Sequence, residues 1–287
     1  MGELARIFLK IGALGFGGPA IIGLIILGVT FAAIVIRNVA PIPLMAVGAL
    51  IGLMVWASTA LAYRPFDSTD ADVAGAGEFE LELGPVGRIE EGARRLNVAP
   101  AFVANFGLTH EHELVIEGRR QRLLDPQAGE ESTALVDTGV FIKQVLREGA
   151  LQEKPGLSVA TEYGVLLPTW HGENGTGLSV AGIVSQRSAV ETLHVNAAVG
   201  VARNHQPSAF LGAILEGPYE WAVRPVAEVF RAQTRGDPRT DSFLVGAIWR
   251  KRKDLTFDFG LRAARDGDES VHEVRLGFTW TYSMKGS

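Results

Sequence analysis

Apolar and polar residues alternate with a period of two along most of the chain from residue 63 onward. In VHEVRLGFTWTYSM, every second residue from Val274 to Tyr282 is apolar, and the residues between them are charged, hydroxylated or glycine. Successive side chains of a β-strand point to opposite faces, so this period predicts a strand with one apolar and one polar face. The same period recurs in EFELELG, LSVATEYGV, ETLHVNAAVGVA, SFLVGAIWR and LTFDFGLRA.

Turn-forming residues divide this region into about 12 predicted strands. Most of them have about 9 to 11 residues, the length that a tilted strand needs to cross a bilayer. The strands are predicted at 77–87, 98–107, 112–120, 136–147, 157–167, 177–186, 190–202, 208–216, 221–231, 241–250, 254–263 and 271–282.

The connections between the predicted strands alternate in length. The loop at 168–176 contains Asn174-Gly175, a strong reversal signal. An even strand count with alternately short and long connections is typical of an outer-membrane barrel whose two ends and short turns face the periplasm. Short turns are expected at 109–112, 186–189, 216–220 and 251–254, and longer loops at 119–135, 168–176, 203–208, 231–241 and 263–270.

A soluble β-sandwich or lipocalin-like barrel is the alternative, and its apolar strand faces would cover a protein core. The uniform strand length argues against it, and so do the aromatic residues near strand ends, where lipid interfaces favour them. We therefore predict an all-β fold, a transmembrane antiparallel β-barrel of about 12 strands over residues 63–287. The strand-end aromatic residues are Trp221, Trp249, Trp280 and Tyr282.

The first 62 residues have a different pattern. Two uncharged stretches of 26 residues, 11–36 and 38–63, flank Arg37, and each is long enough to span a bilayer as a helix. Ala60 and Ala62 form an A-x-A pattern, after which a signal peptidase can cut. Residues 1–62 are thus predicted to be a hydrophobic helical region preceding the barrel, either a cleaved signal-like segment or a retained helical hairpin.

Composition narrows the classes of function. The 287 residues include no cysteine, which excludes disulfides and thiolate metal sites. The net charge of −5 gives no indication of a nucleic acid partner. The glycine-rich stretches GFGGP and GENGTG lack the strand–glycine–helix context of a phosphate-binding loop, so no cofactor is predicted.

Charged residues on the polar side of the predicted strands are the candidate site residues. An isolated buried charge is costly, so they either pair with one another and fill the barrel or line a narrow wet path. Such a path would have an acidic bias that favours cations or polar neutral solutes. The candidate lumen-lining residues are Glu78, Glu80, Glu82, Glu113, Glu117, Glu162, His194, Arg224, Glu228, Asp258, Arg262, Glu273 and Arg275.

Two sets of histidines raise the question of an enzyme. His110 and His112 have the spacing of metal ligands on one strand face, but they fall at a predicted turn with no third ligand cluster close in sequence. His194 lies on the predicted lumen face, where a barrel hydrolase would hold its triad, yet no serine–histidine spacing stands out. We predict that the protein is not an enzyme.

Residues 2–20, GELARIFLKIGALGFGGPA, resemble the opening of chromate transporter family proteins. Phe16, Gly17, Gly18 and Pro19 match the Phe-Gly-Gly-Pro turn of that family. The family has many transmembrane helices, and the sequence after Ala20 departs from its usual continuation, which includes a histidine. The resemblance implies a fusion, a relic or a misassigned start ahead of an exported protein.

A second resemblance covers residues 63–282. RPFDSTDADVAGAGEFELELG, NFGLTHEHELVIEGR and EVRLGFTWTY, in that order, resemble the phenol-degradation (MetA-pathway) family of transporter-like outer-membrane proteins. The resemblance implies an outer-membrane barrel that passes a small solute, with an aromatic or hydrophobic compound as one option.

The main functional prediction is an outer-membrane channel or transporter-like protein for small solutes. Its expected partners are the lipid bilayer, a small solute and the barrel assembly machinery, which would recognise the terminal strand over residues 271–282. One alternative is a closed, ion-paired barrel with a structural or surface-binding role. The other is a fragment related to chromate transporters, which would remain in the inner membrane with its N-terminal hairpin.

Overall fold

The computed structural model describes residues 64–284. The predicted helical region at 1–62, the candidate cleavage residues Ala60 and Ala62 and the chromate-transporter-like stretch at 2–20 lie outside these residues. No helix in the described part of the chain is long and apolar enough to cross a membrane.

Twelve β-strands make up almost all of the described chain. A single turn of 3-10 helix, Ala150–Gln152, interrupts the connection between the fourth and fifth strands. The strands are β1 (Glu78–Glu91), β2 (Arg94–Gly107), β3 (His112–Leu123), β4 (Thr133–Arg147), β5 (Ser158–Leu166), β6 (Gly177–Arg187), β7 (Thr192–Val201), β8 (Pro207–Glu216), β9 (Val223–Thr234), β10 (Thr240–Arg252), β11 (Leu255–Asp266) and β12 (Glu269–Ser283).

The strands form one closed antiparallel barrel. Each strand pairs with the next along the chain, and β12 pairs with β1 to close the sheet. The closing register runs from Glu78 opposite Ser283 to Glu91 opposite Val271. Closure leaves no unpaired sheet edge, which is the condition that a bilayer imposes on a β-structure. The prediction of a barrel of about 12 strands is confirmed, and the strand VHEVRLGFTWTYSM is its closing strand.

The outer surface of the barrel is apolar and the interior is polar. On β12, Val274 and Leu276 are 40% and 44% exposed, whereas Glu273 and Arg275 are 5% and 8% exposed. The strands β5 to β11 have the same distribution, in which exposed large aliphatic and aromatic side chains alternate with buried polar ones. This is the reverse of the distribution in a water-soluble protein. A continuous exposed apolar belt of this kind is suited to lipid rather than to water.

We call the end where β1 begins and β12 ends the terminal end of the barrel, and the other end the distal end. The predicted contrast between short and long connections is wrong in part. The distal connection between β11 and β12 comprises only residues 267–268, whereas the terminal connection between β4 and β5 comprises 148–157. Residues 263–266, predicted as part of a loop, instead continue β11, which extends beyond its apolar belt into the solvated rim.

Candidate functional site in the barrel lumen

The chain from Arg64 to Gly77, which precedes β1, lies inside the barrel; we call it the luminal segment. Its residues Phe66, Ser68, Thr69 and Ala71 are buried. It runs from the wall at β11 and β12 past β9, β7 and β6 to β3, and it then turns into β1. The luminal segment therefore crosses the interior of the barrel.

Side chains of the wall accept the backbone N–H groups of the luminal segment. Glu228 on β9 accepts from Asp67 (3.0 Å) and from Ser68 (2.6 Å). Asn196 on β7 accepts from the N–H of Thr69 at 3.0 Å and donates to its carbonyl at 2.7 Å. Buried backbone groups need partners, and here polar side chains supply what a neighbouring strand would supply in a sheet.

Two further wall residues complete this set of acceptors. The hydroxyl of Ser185 on β6 accepts from the N–H of Ala71 at 2.9 Å, and Glu113 on β3 accepts from Ala74 at 2.6 Å. From Arg64 to Ala74 the luminal segment is thus held by side chains from several strands. None of these contacts belongs to the hydrogen-bond ladder of the barrel sheet.

Arg64 anchors the start of the luminal segment. Its guanidinium donates to Asp258 at 3.3 Å, and its N–H donates to Glu82 at 2.8 Å. Gly84 on β1 and Gly277 on β12 lie against the guanidinium, and a Cβ at either position would overlap it. Glycine at both positions therefore allows the side chain to lie flat on the wall.

An arginine–carboxylate network holds the next residues. Arg275 donates to the carbonyl of Pro65 at 2.7 Å and pairs with Asp67 (2.9 Å) and Glu273 (2.8 Å). Arg262 also pairs with Glu273, at 3.1 Å. Each buried carboxylate in this group thus has a guanidinium partner, the condition under which ionised groups are tolerated away from water.

Lys143 on β4 holds the middle of the luminal segment. Its ammonium lies 3.2 Å from Asp70, 3.3 Å from the hydroxyl of Thr69 and 3.6 Å from Glu113. Lys143 was not among the residues predicted to line the lumen. It shares the inward face of β4 with the buried Phe141 and Val145.

Asp72 lies beside the connection between β4 and β5, outside the membrane-spanning strands. The side chain of Gln152 donates to its carboxylate and to the carbonyl of Ala71, both at 2.9 Å. Burial, together with the neighbouring carboxylate of Asp70, raises the pKa of Asp72 to about 6. The protonation state of Asp72 in the luminal segment therefore changes near neutral pH.

Apolar contacts fill the lumen beside these polar ones. Phe66 of the luminal segment packs with Ile214, Val226, Leu244 and Ile248. All four wall residues lie on β8 to β10 and point inward. The interior at this level is therefore packed on one side rather than open.

A cavity of about 400 Å³ lies on the distal side of the luminal segment. Its apolar lining includes Phe102, Phe210 and Phe230, and its charged lining includes Glu117, Arg119 and Arg203. One oxygen of the buried Glu117 has no hydrogen-bond partner among the described residues. The cavity combines aromatic surface with charged groups of both signs, and its volume is in the range of small-molecule sites.

The structure places most of the predicted lumen-lining residues in the interior. Four of them meet at the luminal segment: Glu228, Asp258, Glu273 and Arg275. His194 and Arg224 lie nearer the terminal end and are joined through Glu216, which was not among the predicted residues. Buried positions are held by Glu82, Glu113, Glu117, Glu162, His194, Arg224, Glu228, Asp258, Glu273 and Arg275, and half-buried ones by Glu78, Glu80 and Arg262.

His194 has the neighbours of a hydrolase triad. Its Nδ1 lies 2.8 Å from the hydroxyl of Ser185, and its Nε2 lies 3.5 Å from Glu216. The two residues are nine positions apart because they face each other across the β6–β7 pair, a relation that linear spacing does not reveal. Ser185 is fully buried, however, and its oxygen already binds the N–H of Ala71, so a substrate carbonyl has no access.

The other histidine candidates lie at the surface. His110 is exposed at the turn between β2 and β3, and the ring of His112 contacts the hydroxyl of Thr109 at 3.1 Å. Within residues 64–284, no group of three or more histidine, cysteine or acidic side chains is arranged to hold a metal ion.

Comparison with known proteins identifies the fold. Neither a protein-family model nor a curated protein sequence matches the chain. Among solved structures, the chain is similar to an outer membrane channel from Pseudomonas putida F1, with 11% identity over 76% of this chain and 100% of that chain and a TM-score of 0.54.

Two further likenesses are weaker. The KdgM porin in complex with disordered oligogalacturonate has 7% identity over 71% of this chain and 99% of that chain, with a TM-score of 0.47. The CymD monoaromatic hydrocarbon channel has 11% identity over 73% and 89%, with a TM-score of 0.43.

The chain thus has a closed, porin-like β-barrel fold, which it shares with the Pseudomonas putida F1 outer membrane channel. The prediction that the chain is not an enzyme stays a prediction, because likeness in fold alone does not show what a protein does. Membership in the phenol-degradation family or a relation to chromate transporters stays a prediction, since no family model matches.

Proposed function

We propose that this protein is an outer-membrane channel for small solutes whose lumen is closed by the luminal segment and opens when that segment leaves the wall. The position of the luminal segment carries the proposal, because it crosses the interior and is bonded to strands on opposite sides of the barrel. Its bonds end on side chains, so displacement costs polar contacts but does not break the barrel sheet.

The distal cavity supports a small amphipathic solute. Phe102, Phe210 and Phe230 offer apolar contact area, and Arg119 and Arg203 offer hydrogen-bond donors. An aromatic compound fits this combination, and such a substrate is also what the resemblance to the phenol-degradation family implies. The solute would rest in the cavity until the luminal segment gives way.

The orientation follows from the chain ends. We assign the terminal end to the periplasm and the distal end with the cavity to the outside, as for barrels whose two ends share the periplasmic side. The barrel assembly machinery would then act on β12, whose outward face ends in Trp280 and Tyr282.

A reversible cross-link tests the role of the luminal segment. The chain has no cysteine, and the N–H of Ala71 donates to the hydroxyl of Ser185 at 2.9 Å, so the two residues are direct neighbours across the lumen wall. The double variant A71C/S185C is reconstituted in planar bilayers, and its conductance is measured before and after reduction. The single variants A71C and S185C are the controls.

We expect the oxidised double variant to give the baseline of a protein-free bilayer and the reduced one to conduct. Oxidant should leave both single variants unchanged. Equal current in the oxidised and reduced double variant would show that the solute path does not require displacement of the luminal segment.

A closed barrel with a structural or surface-binding role is the second candidate. The interior ion-pair network favours it, because Arg262, Glu273, Arg275 and Asp67 occupy the lumen together. This candidate predicts that neither the wild type nor the reduced double variant conducts under any applied voltage.

A further inference from the structure

Three arginines surround one aromatic ring at the terminal end of the barrel. The guanidinium carbons of Arg187, Arg250 and Arg224 lie 3.9, 4.9 and 5.3 Å from the ring centroid of Tyr219. They come from the ends of β6 and β10 and the start of β9, while Tyr219 belongs to the turn between β8 and β9. Folding thus brings together residues that are far apart in sequence: Arg187 and Arg250 are separated by 63 positions.

All three arginines have the inward parity of their strands. Arg187 follows the buried series that ends at Ser185, and Arg250 follows Ile248. Arg224 is itself only 8% exposed. The outward face of β10 beside them carries Trp249, which is 44% exposed. The cluster therefore faces the mouth of the lumen and not the surrounding lipid.

The positive charge of this cluster is not balanced within the described residues. Arg224 pairs with Glu216 at 3.4 Å, and Glu216 is shared with His194 at 3.5 Å. Arg187 and Arg250 have no ion pair with any described residue, and the Nε groups of Arg187 and Arg224 are buried without a hydrogen-bond partner there. Glu220 in the adjacent turn is exposed and makes no ion pair with the described residues.

Contact with the ring of Tyr219 does not offset the repulsion between the three positive charges. A cation over an aromatic face is stabilised only weakly at exposed sites, whereas three guanidinium groups near one ring also repel one another. Donors that remain unused in a partly buried cationic cluster are the elements of an anion site.

We propose that Arg187, Arg224 and Arg250 form a binding site for the carboxylate or phosphate group of a free solute at the terminal mouth of the lumen. The planar guanidinium fork matches the oxygens of both groups, and half-buried Arg187 and Arg250 leave the site open to the lumen. Arg224 is the most deeply buried of the three arginines and lies at the base of the site. The inward orientation favours a free solute over the headgroup of an anionic phospholipid.

Equilibrium binding tests the site without a need for conductance. The full-length protein in a non-ionic detergent is titrated with inorganic phosphate and with benzoate by isothermal calorimetry. Arg187→Gln and Arg250→Gln are compared with Arg252→Gln, a nearby exposed arginine that is paired with Asp254. Arg187→Lys retains the charge without the fork, and circular dichroism verifies that each variant is folded.

We expect saturable binding of at least one anion to the wild type, weakened about tenfold in Arg187→Gln and in Arg250→Gln and less in Arg187→Lys. Arg252→Gln should bind as the wild type does. Binding measured in nanodiscs with and without phosphatidylglycerol distinguishes a free anion from an anionic lipid headgroup as the ligand.

Three results would overturn the site: no saturable binding to the wild type, equal weakening in Arg252→Gln, or binding restricted to phosphatidylglycerol. The anion site is tested by binding in detergent, so its result is independent of the disulfide test of the channel, which measures conductance. A barrel that never conducts can still bind the anion, and a conducting barrel can lack the site.

Discussion

Individual polar side chains of the wall determine where the luminal segment lies. Glu228 binds two successive N–H groups, and Asn196 pairs with both backbone groups of Thr69. Hydrogen bonds of this kind are directional, and an ionised acceptor strengthens them. At the residue scale, the interior is therefore a set of specific contacts and not a general polar lining.

Lys143 provides a first test at this scale. Lys143→Met removes the ammonium that faces Asp70 and Glu113 and leaves both carboxylates without it. Removal of one partner from a buried ionic group costs about 3–5 kcal/mol, so we expect the free energy of unfolding to fall by that order. Guanidinium unfolding followed by tryptophan fluorescence measures the change.

Lys154→Met is the matched control for Lys143→Met. Lys154 is exposed and pairs with Glu148 at the surface, so its loss should change the free energy of unfolding by less than about 1 kcal/mol. Equal effects of the two substitutions would contradict the assigned role of Lys143.

Asp72 provides a test that depends on pH. An acid whose pKa is raised to about 6 in the folded protein stabilises it most at low pH, and this contribution is lost as the pH rises through about 6. We therefore expect the stability of the wild type relative to Asp72→Asn to decrease between about pH 4 and about pH 8. Unfolding titrations at both pH values measure it, and a difference that is independent of pH would refute it.

At the scale of elements, the strands follow from local pattern and the luminal segment does not. The predicted strand 271–282 and the observed β12, Glu269–Ser283, differ by only a few residues, since its alternation fixes both the strand and its two faces. RPFDSTDADVAGAG has no such period. Its conformation depends on acceptors that belong to distant strands.

The two faces of β12 can be tested directly. Leu276→Arg places a charge on the outward, apolar side of the strand, where a basic residue at the bilayer midplane costs about 2–4 kcal/mol. We expect a loss of this order in the free energy of unfolding from phospholipid vesicles. Glu269→Arg, at the exposed start of the same strand, should have little effect, and a similar loss there would contradict the lipid-facing assignment.

At the scale of the whole molecule, closure turns an amphipathic sheet into a compartment. The β1–β12 pair completes the wall and separates the apolar outer surface from the ion-paired interior. The distal cavity and the arginines around Tyr219 then lie on either side of the luminal segment. A solute that crosses the barrel would meet the cavity, the luminal segment and the arginines in succession.

Maturation of the chain is a prediction at the same scale. If the hydrophobic N-terminal region is removed after Ala62, the protein in the outer-membrane fraction should begin at Tyr63. Membrane fractionation with N-terminal sequencing measures this. An intact Met1 in the inner-membrane fraction would instead support the transporter-fragment alternative.

The sequence by itself determined the strands, their number and the polarity of their two faces, because alternation with a period of two is a local property. It also selected most of the buried charges, since polar residues on that period must share one face. Only the tertiary structure decided that the chain before β1 lies in the lumen, that Lys143 points inward, and that Ser185 meets His194 and three arginines meet Tyr219. Those contacts join residues far apart in sequence, and barrel closure is what brings them together.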